Sequence, residues 1–234
     1  MRDPTPPARP GTTQQHAVDW LRHAIVSGGL HPGERVAQEE VAARIGVSVA
    51  PVREALRVLE QEGQVTYRPR RGYFVTELRI ADLDEIYALR QILEERAARH
   101  ALPELDEDAL QRITSAAADC VNAAEAGDVA AELAANRRFH FAILESPDHP
   151  HVLRLIRLLW DSTEAYRAMY YNSPAERTRS VDAHDRIVAA VLARDPDRLV
   201  AELDAHRRRA LEVLRALLAP GRHPTPSMQS SSSR

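Results

Sequence analysis

Two short helical segments joined by a glycine constrain the fold of this chain more than any other feature. Apolar residues at helical spacing predict one helix over Gln38–Ile45 and another from about Ser48 to Glu62. Gly46 lies between them, at a position where a residue with positive φ ends a helix. Ser48 is a suitable N-cap, and Pro51 falls in the first turn, where its missing N–H costs little. This arrangement predicts a helix-turn-helix.

A longer amphipathic segment precedes this motif and a basic hairpin follows it. The first, about Gln14–Ser27, has apolar residues at helical spacing and ends in a run rich in glycine and proline. Two stretches of strand character, Val65–Tyr67 and Tyr73–Val75, are separated by the turn Arg68–Gly72, which carries three arginines. Three helices followed by a basic hairpin predict a winged helix-turn-helix over residues 13–77, whose third helix would enter the major groove of DNA.

From about Ile80 onward, the hydrophobic pattern is helical and contains no strand pattern. Prolines and a glycine separate the predicted helices, which lie near 80–101, 106–126, 128–146, 149–172, 175–194 and 196–218. These helices predict an antiparallel all-helical bundle over residues 78–219, so the expected fold class is mainly α. The two ends, 1–12 and 220–234, are poor in apolar residues and are predicted to form a disordered arm and a disordered tail.

Composition and charge exclude several classes of protein. Apolar residues make up 44% of the 234 residues, enough for a core, but no apolar run approaches the roughly 20 residues that span a bilayer. The N-terminus lacks the apolar stretch of a signal peptide, and the single cysteine, Cys120, allows neither an intrachain disulfide nor a Cys-x-x-Cys zinc site. These features predict a cytoplasmic protein. The net charge is −3 and every basic residue is arginine, so contacts to phosphate or carboxylate must come from arginine, histidine or neutral groups.

Several segments of the first predicted domain occur in the order of a known family. They are Pro32–Val36, Val41–Ser48, Pro51–Leu56 and Arg71–Val75. Together they resemble the winged helix of the GntR superfamily. The helical part, with Phe139, His140 and two later histidines, is similar to the FCD effector domain of its FadR-like subgroup, so that the resemblance covers about residues 14–218. It implies a homodimeric regulator of transcription, a repressor in most relatives, that binds a short palindromic operator and responds to a small organic acid.

Seven residues of the first domain are candidates for contact with DNA: Ser48, Arg53, Arg57, Arg68, Arg70, Arg71 and Gly72. Arg53 and Arg57 are four apart and share a helix face, and the family position that matches Arg53 contacts DNA. Guanidinium groups bind phosphates and guanine edges, Ser48 could touch phosphate, and Gly72 would let the wing backbone come close to the minor groove. Alternatively, Arg53 pairs with a nearby glutamate, and the basic turn is an ordinary exposed loop. The glutamates are Glu39, Glu40 and Glu60.

The turn of the motif departs from the family at two positions. Relatives usually carry Arg-Thr between the serine and the proline, and that arginine often reads a base, whereas this chain has Val49 and Ala50. Neither side chain can donate a hydrogen bond, so direct readout narrows to apolar contacts, such as those with thymine methyl groups, and to Arg53. The operator is therefore expected to differ from the common site of the subgroup.

Four polar residues of the helical part form a candidate metal site. Asn136 and His140 are four apart and share a face of one helix, while His184 and His206 lie near the middles of two later helices. An antiparallel bundle can bring them together, and three imidazoles with one oxygen suit Zn²⁺ or Ni²⁺. The matching positions of the FCD family form a metal site, with an aspartate where this chain has Asn136, and a neutral amide binds a dication more weakly than a carboxylate. Alternatively, each histidine is a satisfied polar residue inside the bundle. The other seven histidines are given no functional role: His16, His23, His31, His100, His149, His151 and His223.

Arg90 is a candidate for binding the effector. It lies inside the first helix of the predicted bundle, in a run that resembles the family, and could bind an acidic group by two hydrogen bonds. A carboxylate is the expected ligand because open positions on a metal bind an anion. Alternatively, Arg90 forms an intrahelical pair with Glu94. Four large aromatic residues belong either to the pocket or to the core: Trp160, Tyr166, Tyr170 and Tyr171.

Two other functions compete with regulation of transcription: a metal-dependent helical hydrolase and an adaptor that binds protein through the winged helix. The hydrolase would use the same histidines, but the chain has no His-Glu-x-x-His motif. Asp185 follows His184 and would point about 100° away around the helix, so it is badly placed to act as a base. No catalytic residue is predicted. An adaptor would lack the steep salt dependence of DNA binding.

Overall fold

The computed structural model of the chain describes residues 12–145 and 148–219. These ranges contain ten α-helices and three short strands. The helices are α1 (Thr13–Val26), α2 (Gln38–Ile45), α3 (Val49–Gln61), α4 (Ile80–Ala101), α5 (Glu107–Ala126), α6 (Val129–Leu144), α7 (Pro150–Asp161), α8 (Glu164–Tyr171), α9 (Pro174–Leu192) and α10 (Pro196–Leu218), and the strands are β1 (Arg35–Val36), β2 (Val65–Arg68) and β3 (Gly72–Val75). The prediction of a mainly α chain, with a winged helix-turn-helix followed by a helical bundle, is confirmed.

The first three helices and the sheet share one apolar core, in which α1 packs against α3. Strands β1 and β2 both pair antiparallel with β3, in the order β1-β3-β2. The sequence predicted β2 and β3 as a hairpin but missed β1. Two residues are too few to show the alternation of a strand, so only the pairing of Val36 with Tyr73 reveals it.

The turn between α2 and α3 follows the sequence pattern closely. Gly46 ends α2 with φ +71°, and no side chain of the described residues beyond its two chain neighbours lies within 4 Å of the point where a Cβ would stand. The left-handed backbone, rather than crowding, therefore favours glycine there. Ser48 occupies the N-cap position of α3, but its side chain makes no capping hydrogen bond within the described part of the chain.

The bundle differs from the prediction at one place that matters for the site. A single helix was predicted over 149–172, whereas α7 ends at Asp161 and α8 begins at Glu164. The hydroxyl of Thr163 donates to main-chain carbonyls at the end of α7, and Thr163 is fully buried. Neither glycine nor proline marks this break, so local pattern could not predict it.

Helix α8 is also where the two parts of the chain meet. The backbone N–H of Leu78 donates to the hydroxyl of Tyr166, at 2.7 Å. Ala165 packs against the core of the winged helix and against a cluster of the bundle that includes Tyr166. A side chain at Gly63, just after α3, would touch Ser162 at 3.2 Å, so the turn between α7 and α8 lies close against the end of α3.

Residues outside the described ranges include almost all of the predicted arm and tail. The exception is Thr12, whose hydroxyl accepts a hydrogen bond from the N–H of Gln15 and caps α1. None of the helices that the structure describes combines the length and the apolar character needed to cross a membrane.

Candidate functional site

Helix α3 turns its two arginines toward solvent while its opposite side is buried in the core. Arg57 pairs with Glu54 at 2.8 Å. Arg53 Nε lies 3.4 Å from Gln38 Oε1, which is long for a hydrogen bond. Among the residues described, Arg53 forms no ion pair with any of the three glutamates considered above. The Arg53 guanidinium is therefore available for a ligand at the surface.

The wing turn combines three arginines with an unusual backbone. The N–H of Arg71 donates to the carbonyl of Arg68 at 2.9 Å, which closes a turn with Pro69 and Arg70 at its centre. In a turn with proline at the first central position and positive φ at the second, glycine is favoured at the second position. Arg70 instead has φ +62°, which costs a non-glycine residue about 1 kcal/mol. Strained residues of this kind cluster at functional sites, and Gly72, two residues later, also has positive φ, at +90°.

A fourth arginine belongs to the wing and was missed by the sequence analysis. Arg35, on β1, donates through Nε to the carbonyl of Arg71 at 3.1 Å. The guanidinium groups of Arg68 and Arg71 lie 4.4 and 5.6 Å from the ring centre of Phe74, so the wing is ordered by stacking as well. Only the pairing of β1 with β3 brings Arg35 here, since it lies more than 30 residues from the turn.

The two positions that depart from the family pattern are not equivalent. Ala50 is exposed at the start of α3, whereas Val49 is half-buried and packs against the core of the winged helix. The apolar contact expected from this pair therefore falls mainly to Ala50. Ser48, one residue earlier, is exposed.

In the bundle, the four residues of the predicted metal site come together from three helices. Asn136 and His140 lie on α6, His184 on α9 and His206 on α10. The three imidazoles each offer a ring nitrogen within 4.8 Å of the others. His184 Nε2 lies 3.1 Å from the side-chain oxygen of Asn136.

The polar atoms of this cluster fit a bound cation. Within the described residues, neither ring nitrogen of His140 has a hydrogen-bond partner, although the side chain is buried, and Nδ1 of His184 has none either. Leaving such an atom unpaired costs about 1–3 kcal/mol. Burial, reinforced by the neighbouring histidines, lowers the pKa of His140 and of His184 well below the usual value, and burial lowers the pKa of His206 to about 4. The rings are thus neutral at pH 7, the form that ligates a metal.

Arg90 forms the intrahelical pair with Glu94, one of the two alternatives that the sequence left open. Its Nε donates to Glu94 at 2.8 Å, and both side chains are buried. Glu94 also accepts from the indole N–H of Trp160 at 2.7 Å and from Arg207 at 2.5 Å. Burial alone would raise the pKa of Glu94, but the charges of Arg90 and Arg207 outweigh it and hold the pKa below its usual value. Arg90 lines the cavity beside the histidines, yet its charge is already paired.

A different arginine of the cavity has no such partner. Arg167, on α8, is 5% exposed, and none of its three guanidinium nitrogens has a hydrogen-bond partner among the described residues. Its guanidinium lies 4.2 Å from the ring centre of Trp160. Burial lowers the pKa of Arg167 below the usual arginine value. The sequence analysis missed Arg167, because its orientation depends on the break between α7 and α8.

The four aromatic residues left unassigned divide between core and cavity. Three of them, Trp160, Tyr170 and Tyr171, line the cavity. The hydroxyl of Tyr166 instead accepts the hydrogen bond from the backbone N–H of Leu78. Among the described residues, the other histidines do not join the cluster on α6, α9 and α10. His100 and His149 stack at 3.7 Å, and His100 with Glu104 and Asp148 forms a second, more exposed group; His223 lies outside the described residues.

Comparison with known proteins agrees with both halves of this structure. Residues 13–75 match the gntR family of bacterial regulatory proteins, and residues 85–222 match the FCD domain. The chain is 28% identical over 203 residues to the uncharacterized HTH-type transcriptional regulator YdhC of Bacillus subtilis, covering 86% of this chain and 91% of YdhC. It is 27% identical over 192 residues to the gluconate operon transcriptional repressor of Bacillus licheniformis, covering 78% and 77%. The solved structure of E. coli McbR/YncC matches with a TM-score of 0.77 and 26% identity, covering 88% of this chain and 99% of that one. The chain therefore belongs to the GntR family of bacterial transcriptional regulators and carries an FCD domain after its DNA-binding domain.

Proposed function

We propose that this DNA-binding regulator is a homodimeric, cytoplasmic repressor whose operator affinity is controlled by a small organic acid bound at a divalent metal in the FCD domain. The observation that carries the sensing part is the histidine cluster, in which both ring nitrogens of His140 and Nδ1 of His184 are buried without a hydrogen-bond partner in the described residues. The DNA-binding part rests on the exposed arginines of α3 and the wing. The hydrolase alternative is not favoured, because the relatives are regulators of transcription.

Asn136, His140, His184 and His206 would hold the metal, most suitably Zn²⁺ or Ni²⁺. A bound dication supplies a Lewis-acidic centre that attracts a carboxylate. The neutral histidines need to lose no proton to accept it, and the neutral Asn136 leaves the site with no negative charge from the protein's own ligands. An anionic effector would supply that charge.

Helix α8 offers a route from the effector to the DNA. It lines the cavity through Arg167, Tyr170 and Tyr171. Tyr166, on the same helix, accepts a hydrogen bond from the backbone N–H of Leu78, just after the winged helix. A shift of α8 on effector binding would therefore move the winged helix relative to the bundle. In a dimer this changes the spacing of the two α3 helices, and the operator half-sites no longer match both at once.

Removing the central histidine is expected to abolish metal binding. In wild-type protein stripped with chelator, Ni²⁺ or Zn²⁺ at about 100 times its Kd should stabilise the fold by about 2.7 kcal/mol, which raises Tm by roughly 5–10 °C. The variant His140→Ala should show almost none of this shift, because it lacks a ligand at the centre of the cluster. Thermal shift with and without metal, together with metal content per chain, measures the effect.

Two further variants make the metal experiment specific. His151→Ala removes an exposed histidine of α7 and should leave the metal-dependent shift unchanged. Asn136→Asp should increase metal affinity, by about tenfold, since a carboxylate replaces a neutral oxygen. A metal-dependent shift that survives in His140→Ala would show that the cluster is not the site.

The proposed dimer would form through a surface on α4 and α7, two helices that pack together. Four large apolar side chains on them are exposed: Leu89, Ile92, Leu155 and Leu158. Ile92, 66% exposed, is the most open of them. Ile92→Glu is expected to give monomers in sedimentation velocity with an unchanged helical spectrum, and to weaken operator binding by at least about 100-fold, because two linked heads bind far better than one.

The control for this surface is Leu192→Glu, which places the same charge at an exposed leucine near the end of α9. It should remain dimeric. Dimers that persist in Ile92→Glu would exclude this face as the interface. The switching step is tested separately: a saturating organic acid that leaves the operator affinity of the metal-loaded dimer unchanged would contradict control by an effector.

A further inference from the structure

Arg167 is a charged group that the fold buries without a hydrogen bond or an ion pair among the described residues. Its guanidinium has five N–H donors, none of which finds an acceptor among the described residues. Stacking on Trp160 positions the group but offers it no hydrogen-bond acceptor. Burying an unpaired charge is costly, so a side chain held in this way indicates a ligand that supplies the missing negative charge.

The cavity around Arg167 carries an excess of positive charge. Three arginines line it, Arg90, Arg167 and Arg207, and one glutamate, Glu94, which already pairs with the other two arginines. Arg207 also pairs with Asp204 at 3.4 Å, so three positive charges meet two negative charges and leave +1, before any metal is counted. His140 lines the same cavity, so the proposed metal and Arg167 face one shared space.

We infer that the effector carries two acidic groups, and that Arg167 binds the one that does not reach the metal. This inference rests on the proposed function, and it adds the class of effector: a short dicarboxylate rather than a monocarboxylate. With one carboxylate at the metal that the histidines would hold, the guanidinium of Arg167 would bind the other through charge-assisted hydrogen bonds. Arg90 does not bind the effector in this arrangement, because its guanidinium is paired with Glu94. It forms part of the cavity wall instead.

The cavity has a volume of about 30 Å³, which is room for one or a few waters. A dicarboxylate therefore enters only if the wall moves, and α8, which carries Arg167, is one wall. The second acidic group would thus bind to α8, the same helix whose Tyr166 accepts the hydrogen bond from the N–H of Leu78.

The test compares acids that match in length and differ in charge. Binding of succinate against butyrate, and of glutarate against valerate, is measured by calorimetry on the full chain loaded with Ni²⁺. At least one dicarboxylate should bind about 10- to 100-fold more tightly than its matched monocarboxylate, since a hydrogen-bonded charge pair contributes that much. In Arg167→Met this preference should vanish, while the affinity for the monocarboxylate stays the same.

Stability separates this role from a structural one. Without ligand, Arg167→Met should be at least as stable as the wild type, because a buried unpaired charge is replaced by an apolar chain of similar length. Arg208→Met, at an exposed position of α10, should change neither affinity nor stability. A lower Tm for Arg167→Met with an intact dicarboxylate preference would make Arg167 a structural residue.

Two other outcomes of this experiment would contradict the inference. Equal affinity of the wild type for both members of each pair overturns the inference while leaving an organic-acid sensor in place. If metal binds but none of the four acids binds to the wild-type protein, the organic-acid part of the proposed function fails, and this inference fails with it.

Discussion

Replacing Glu94 with alanine is expected to destabilise the protein by about 3–5 kcal/mol, because removing one partner of a buried ion pair leaves the other charge uncompensated. Glu94 is 2% exposed and accepts hydrogen bonds from Arg90, Trp160 and Arg207. Its loss leaves Arg90 and the indole N–H of Trp160 without this acceptor, and leaves Arg207 only its longer contact with Asp204, at 3.4 Å. Urea unfolding followed by circular dichroism measures the change.

The chain offers a matched control on the next residue. Glu95 lies on the same helix and also pairs with an arginine, Arg99, at 3.0 Å, but both side chains are about two-fifths exposed. Glu95→Ala should cost less than about 1 kcal/mol, as exposed ion pairs do. A loss below about 1.5 kcal/mol for Glu94→Ala would mean that water or a moved side chain compensates the stranded charges, and the account of this network would be wrong.

The second large effect is expected in the wing. Replacing Arg68, Arg70 and Arg71 together by alanine should weaken operator binding by at least about 100-fold and reduce the slope of log K against log salt by about three per subunit. The physical reason is that each arginine that contacts a phosphate releases counterions, and its removal abolishes that release. The measurement is fluorescence anisotropy with a DNA selected from random sequence, at several salt concentrations.

A control with the same change in net charge tests whether position matters. Arg112, Arg198 and Arg208 are exposed on helices of the FCD domain. Their triple replacement by alanine should leave the salt slope within about one of the wild type, because these side chains contact no phosphate. Equal losses in both triple variants would mean that overall charge, rather than the wing, drives binding.

Arg70 alone separates DNA binding from stability. Its φ of +62° suits glycine, so Arg70→Gly should keep or raise stability, by up to about 1 kcal/mol. Affinity for DNA should nevertheless fall, because a guanidinium at the tip of the wing is lost. An Arg70→Gly variant that binds DNA like the wild type would remove this residue from the interface.

Some of the candidate site could be predicted from spacing and some could not. Asn136 and His140 share a face of α6 because a helix places residues four apart side by side. Their convergence with His184 and His206 needed the family resemblance, since no spacing rule links different helices. For Arg90 the sequence left two partners open. In the structure Arg90 pairs with Glu94, whose carboxylate also accepts hydrogen bonds from Trp160 and Arg207. These two donors lie 66 and 113 residues away along the chain, beyond the reach of any local pattern.

The sequence by itself determined the helix-turn-helix, the basic turn and the helical bundle. Each depends on local properties: the left-handed glycine at position 46, proline in the first turn of α3, and apolar residues at helical spacing. Only the tertiary structure decided that β1 adds Arg35 to the wing, and that the predicted helix over 149–172 breaks before α8. It also decided that Arg167 is buried without a partner. The physical reason is the same in each case: strand pairing, burial and the lack of a hydrogen-bond partner depend on neighbours from distant parts of the chain, which no local pattern records.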